Sequence, residues 1–154
     1  MAIARGAGTE IIRSAMFEDF GGTTNQVLIV GVQHHIYTVL SVTFQTRTLQ
    51  AAGNYVRMGV KGYDSHAAGS NQSQQDIYIF QQQMQVGETF IWNEKFSFNG
   101  TEPTVFTGPL STVAMQDAIV DQASSVSQTL FCNTENNADT FDIVVTYVDQ
   151  NNAT

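Results

Sequence analysis

The sequence is poor in charge. Only 13% of its 154 residues are Asp, Glu, Lys or Arg, against about 25% in ordinary globular domains. Cations are scarcest. Lys61 and Lys95 are the only lysines, Arg5, Arg13, Arg47 and Arg57 the only arginines, and the net charge is −8. A nucleic-acid partner needs a basic footprint over its phosphates, and an anionic membrane surface needs one too. Neither partner is expected here. Cysteine is nearly absent. With Cys132 alone, no internal disulfide forms, and zinc sites built on two or more cysteines of one chain are excluded. Cys132 follows Leu130-Phe131 in an expected strand and reads as a small buried hydrophobe, since nothing places a histidine beside it. No apolar signal-peptide core follows Met1, and no apolar run is long enough to span a bilayer. The expectation is a chain made and assembled in a cytoplasm, so its Asn-x-Ser/Thr triplets, such as Asn99-Gly100-Thr101, are chance matches.

Asn, Gln, Ser and Thr fill the place of the missing charge. Uncharged amides cost less to desolvate than Lys or Glu, so such a surface tolerates close neighbours. The length fits one domain, which buries roughly 68–70% of its unfolded surface without help from metal or disulfide.

The apolar residues follow a two-residue period. Val27 to Val32 is a nearly continuous β-branched run. Beyond Gln33-His34-His35, the even set Ile36, Thr38, Leu40, Val42 and Phe44 is the more apolar and is expected to face the core. Further strands are expected at Thr9–Ser14, Tyr55–Tyr63, Asp76–Phe80, Thr89–Phe98, Val126–Cys132 and Thr140–Tyr147, the last two joined as a hairpin by 133–139. Residues 15–20 either extend the first strand or form one helical turn. Thr89–Phe98 carries the densest apolar content: Phe90, Trp92, Phe96 and Phe98 share one face of an extended segment and read as the packing centre. Pro103 and Gly108-Pro109 break the pattern, and 113–122 has helical spacing. The fold class that results is all-β, an antiparallel two-sheet sandwich of jelly-roll-like form with a short helical insertion. Its parts are an N-terminal arm (1–13), one sandwich domain (14–149, with the insertion at 101–125) and a polar tail (150–154).

Few residues invite chemistry. His34 and His35 point to opposite faces if extended and do not grip one metal. Asp64 and His66 offer two ligands in a polar loop without a visible third. Asp139 and Asp142 flank a strand start and read as solvated rather than calcium-bound. Glu88 and Glu94 lie on one face near Trp92, as a glycosidase acid pair would. However, Gly87-Glu88 reads as a turn and the aromatics as core. There is no phosphate loop, no Gly-x-Ser-x-Gly and no His-Glu-x-x-His. The expectation is a non-enzymatic protein without metal or cofactor.

Asp76-Ile77-Tyr78-Ile79-Phe80, followed by Gly87-Glu88-Thr89-Phe90-Ile91-Trp92-Asn93-Glu94-Lys95-Phe96, resembles small virion structural proteins of tailed bacteriophages, marine and cyanobacterial phages above all. His35 to Thr43 is similar to their first long strand. The resemblance covers about 34–98, and the 101–125 insertion departs from the simpler pattern. It implies a capsid decoration (cement) protein, or else a tail or baseplate component. A decoration protein of this kind binds major capsid protein on the virion surface and forms a homo-oligomer, a trimer. Its contacts would lie along the arm, at Ala2, Ile3, Arg5, Glu10 and Arg13, with Arg5 and Arg13 pairing acidic groups. A receptor- or carbohydrate-binding module on a tail or fibre tip is the alternative, with 64–75 and 101–125 as its contact surface.

Overall fold

The computed structural model describes residues 9–31, 35–61, 76–99 and 128–151. These form nine strands: β1 (Thr9–Phe20), β2 (Gln26–Val30), β3 (His35–Thr48), β4 (Tyr55–Lys61), β5 (Ile77–Gln83), β6 (Thr89–Trp92), β7 (Phe96–Asn99), β8 (Thr129–Thr134) and β9 (Thr140–Asn151). The first sheet has the order β1-β9-β3-β6, with β7 also on β3; the second has the order β2-β8-β4-β5. All pairings are antiparallel, and they nest: first strand with last, second with second-last, third with β6 and β7, fourth with fifth. A long hairpin wound onto itself gives this order, which is the jelly roll. The expected fold class holds. The expected helical insertion lies outside the described residues.

The core sits between the sheets. Val39, Val42, Phe44, Phe141, Ile143 and Val145 of the first sheet face Val56, Met58, Leu130 and Cys132 of the second, all with at most 1% exposure. Phe80 crosses the gap. Its ring stacks on Trp92 at 4.9 Å and meets Phe44 edge-on at 5.4 Å and Phe90 at 5.6 Å. Such ring pairs contribute about 0.5–1.5 kcal/mol beyond the area they bury.

Three expectations need correction. The even set of β3 faces the core only from Val42 onward; before it, the buried residues are Tyr37 and Val39. A bulge between Val39 and Ser41, opposite Tyr147 and Thr146, supplies the extra residue that reverses the phase. The facing strand explains the need. Phe96 pairs Val39 and Trp92 pairs Val42, so three residues oppose two, and the expected single strand becomes β6 and β7. Phe90, Trp92, Phe96 and Phe98 thereby all stay against the core. Next, β8 and β9 are not a hairpin. They lie in different sheets, and 135–139 crosses between them. Finally, Asp139 at the end of that crossing is fully buried rather than solvated. It accepts hydrogen bonds from the Gln50 and Asn136 N–H groups at 2.8 and 3.1 Å and from the Asn54 amide at 2.9 Å.

Residues 15–20 continue β1 rather than turning into a helix. β1 begins inside the stretch expected as an arm, and β9 runs to Asn151, into the expected polar tail, with Asp149 buried.

Candidate functional site

The outer face of the first sheet is organised in cross-strand rows. Ile12, Val148, Thr38 and Ser97 form one row across β1, β9, β3 and β7. Ser14, Thr146 and Ser41 form the next, and Met16, Val144, Thr43 and Ile91 the third, which ends on β6. Thr38 and Ser97 share a hydroxyl–hydroxyl bond at 2.8 Å, which confirms that they point the same way. These positions hold five apolar side chains, six hydroxyls and no charge. Ile12 is 71% exposed, Met16 75% and Ile91 53%. Among the described residues these rows thus form a neutral, partly aliphatic field on a protein of net charge −8. Depletion of charge marks the centre of protein interfaces.

Exposed charges border this field: Glu94 and Lys95 stand beside its middle row, in the break between β6 and β7, and others stand at its ends. Beyond the Met16 row, Arg47 Nε donates to Asp142 at 2.7 Å, Nη1 to Asp19 at 3.1 Å and Nη2 to Glu18 at 2.6 Å. One cation thus fastens β1, β3 and β9. The Arg47 hydrogen bond holds the Asp142 carboxyl below the ordinary carboxylate range and raises Arg47 in turn. Glu10, exposed, lies beyond the Ile12 row.

Among the described residues, β1 pairs on one side only, with β9. Its register is regular from Thr9 to Phe17 and shifts before Phe20, where Asp19 takes φ 50°. An unpaired edge presents backbone donors and acceptors that template another strand. Ile11, Ile12 and Met16 make this edge aliphatic.

The inward side of the same edge carries an ionic knot. Arg13 Nε lies 2.8 Å from one Asp149 oxygen, and His35 Nδ1 lies 2.6 Å from the other. The His35 ring stacks on Tyr37 at 5.9 Å. With Tyr147, these groups and Leu28–Val30 of the opposite sheet line a cavity of about 320 Å³. Burial raises the Tyr147 hydroxyl pKa above its ordinary value. Arg13 thus finds its acidic partner within its own chain, while its side chain stays 49% exposed.

The outer face of the second sheet is polar and aromatic. The Arg57 guanidinium lies between the Tyr55 and Tyr78 rings, 4.5 and 4.4 Å from their centroids. Its Nε donates to Asn133, whose amide donates to Asn25 and to the Tyr78 hydroxyl. Phe131 is 1% exposed beneath Tyr78, in the room left by Gly59, where a Cβ would come within 2.5 Å of the ring.

The other expected residues separate. Ala2, Ile3, Arg5, His34, Asp64 and His66 lie outside the described residues. Glu10 is exposed on β1. Glu88 closes a turn: Gly87 takes φ 78°, and the Glu88 carboxylate accepts from the Gln85 N–H at 2.7 Å. Glu94 is exposed in the break between β6 and β7. Cys132 is buried in the core, and burial raises its thiol pKa. Among the described residues, no group of three His, Cys, Asp or Glu is placed to hold a metal. Sequence reading missed the neutral field. Its trace was there: Val144 and Val148 sit on the side of β9 opposite the apolar alternation, and Ile12 breaks the alternation of β1.

No family model and no curated protein sequence matches the chain. Among the solved structures that match the chain, two are viral particles. One is maize chlorotic mottle virus, at 12% identity and TM-score 0.34, over 94% of this chain and 94% of that one. The other is the VP2 subviral particle of infectious bursal disease virus, at 7% identity and TM-score 0.37. That match covers 96% of this chain and 38% of the VP2 chain. The jelly-roll assignment itself rests on this chain's own strand order.

Proposed function

We propose that this chain is a non-enzymatic structural protein of a virion, a capsid decoration protein that binds major capsid protein at the particle surface. The observation that carries the reading is the uncharged field on the first sheet beside the edge of β1, which has no second strand partner among the described residues. A field of β-branched and hydroxyl side chains on a rigid sheet desolvates cheaply and offers no catalytic group. It suits lateral association, in which each contact is modest and many copies on one shell reinforce one another. The resemblance of 76–96 to phage virion proteins supports the same reading. The test is binding of purified protein to expanded capsids of the parent virus. Ile12→Lys and Met16→Lys, at exposed positions, should remove binding and leave the fold intact. Equal binding by both variants would refute the association surface.

A second reading is favoured by the Tyr55–Arg57–Tyr78 stack and its amides, Asn25 and Asn133. Aromatic faces beside amides suit saccharides, so this face would serve a carbohydrate-binding module on a tail or fibre tip. A glycan array separates the two, since decoration predicts no glycan signal.

A further inference from the structure

We propose that two copies of this chain pair through β1, antiparallel about a two-fold axis at Ser14, so that their first sheets join into one. The inference rests on reading the first sheet as the association surface and names the partner that the edge fits best. An open strand edge calls for another strand, because its outward backbone groups need donors and acceptors in register. A two-fold axis perpendicular to the sheet keeps the outer face outer, so even positions must face even positions.

Few registers meet that rule, and they differ sharply. Centring on Arg13 sets Arg13 against itself. Centring on Ala15 sets Ile12 against Glu18. Centring on Ser14 sets Ile12 against Met16, Ile11 against Phe17, Arg13 against Ala15 and Ser14 against itself. The ladder then spans Ile11 to Phe17, within the regular part of β1. The one like-charge meeting, Glu10 with Glu18, falls outside that ladder, and Glu18 already lies 2.6 Å from Arg47. The Met16 row of one copy then runs into the Ile12 row of the other: Ile91, Thr43, Val144 and Met16, then the partner's Ile12 and Val148. The neutral fields of both copies become continuous. The result is a two-fold pair, where the phage resemblance implied a trimer. An edge pairing of seven residues is a small interface. The dimer is therefore weak in dilute solution and is favoured where a particle concentrates the copies.

The test is cross-linking together with sedimentation. Opposed residues in an antiparallel pair have Cα atoms about 4.5–5.5 Å apart, within disulfide reach. Cys132 is buried and does not compete. Ser14→Cys, treated with oxidised glutathione, should give a disulfide-linked dimer. Ile12→Cys should not, because two copies of position 12 lie four residues, roughly 13 Å, apart along the ladder. Wild type should sediment as a monomer–dimer mixture near 0.1 mM protein, and the Ile12→Lys, Met16→Lys double variant as monomer with unchanged thermal unfolding. Wild type wholly monomeric at that concentration, or Ile12→Cys cross-linking as fast as Ser14→Cys, would overturn the pairing. Capsid binding scored separately keeps the two readings apart. A monomeric wild type that still binds capsid leaves β1 to a strand of the capsid protein, and a dimer that binds no capsid overturns the decoration role alone.

Discussion

Arg13 Nε and Asp149 Oδ2 lie 2.8 Å apart, which ties the edge strand to the far end of β9. The same carboxylate, 8% exposed, holds His35 through its other oxygen. Removing it leaves a cation and an imidazole facing a partly buried site without their acceptor. Asp149→Ala should therefore destabilise the fold by about 1.5–3 kcal/mol, the lower end reflecting the exposure of Arg13. Urea unfolding measures this. Amide exchange should also show the N-terminal half of β1 opening before the core. A variant as stable as wild type would mean that the knot adds nothing.

Asp139 is a second buried carboxylate with a different task. It fastens the crossing from β8 to β9 by accepting the Gln50 and Asn136 N–H groups and the Asn54 amide. Asp139→Ala leaves those part-buried donors without their acceptor and should cost about 2–4 kcal/mol, read as a fall in the urea midpoint. Asp139→Asn keeps one acceptor and should lose less.

Phe80 joins the two sheets through Trp92, Phe44 and Phe90. Phe80→Leu removes the stacking partner while filling part of the space, and should cost about 1–3 kcal/mol. The near-ultraviolet circular dichroism of Trp92, the chain's single tryptophan, should weaken with it. An unchanged spectrum would place the Trp92 signal elsewhere.

The Arg47 knot sets a pH dependence. The Arg47 hydrogen bond depresses the Asp142 carboxyl in the folded chain. A carboxyl so depressed adds stability above its unfolded value, about 3.9, and that stability is lost as pH falls below it toward the folded value. Asp142→Asn should therefore be less stable than wild type at pH 6, and the gap should close as pH falls below about 4. Asp142 and Arg47 lie at the surface, so added salt should narrow the gap at pH 6 as well.

The sequence disclosed the sandwich because its strands alternate, and it disclosed the aromatic face because Phe90, Trp92, Phe96 and Phe98 keep one parity. It hid what depends on pairing. The bulge that turns β3 from Tyr37 and Val39 to Val42 and Phe44 exists only against the offset between β6 and β7, which lie dozens of residues away. The switch of sheets between β8 and β9 was invisible for a related reason: a short polar connection looks alike whether it closes a hairpin or crosses a sandwich. Arg13 read as a contact for acidic groups of a neighbouring protein because its partner within the chain, Asp149, lies at the other end of the sequence. The association field escaped notice because it is made of rows across strands, and no single strand displays it.

The most direct test of the proposed decoration role is copy number. On the proposed decoration role, quantitative mass spectrometry of purified virus particles counts this chain against the major capsid protein. A decoration protein should be present in many copies, in fixed ratio to the capsid subunits, and should be lost together with the ability to bind expanded shells. A chain absent from particles, or present in only the few copies of a tail tip, would contradict the account.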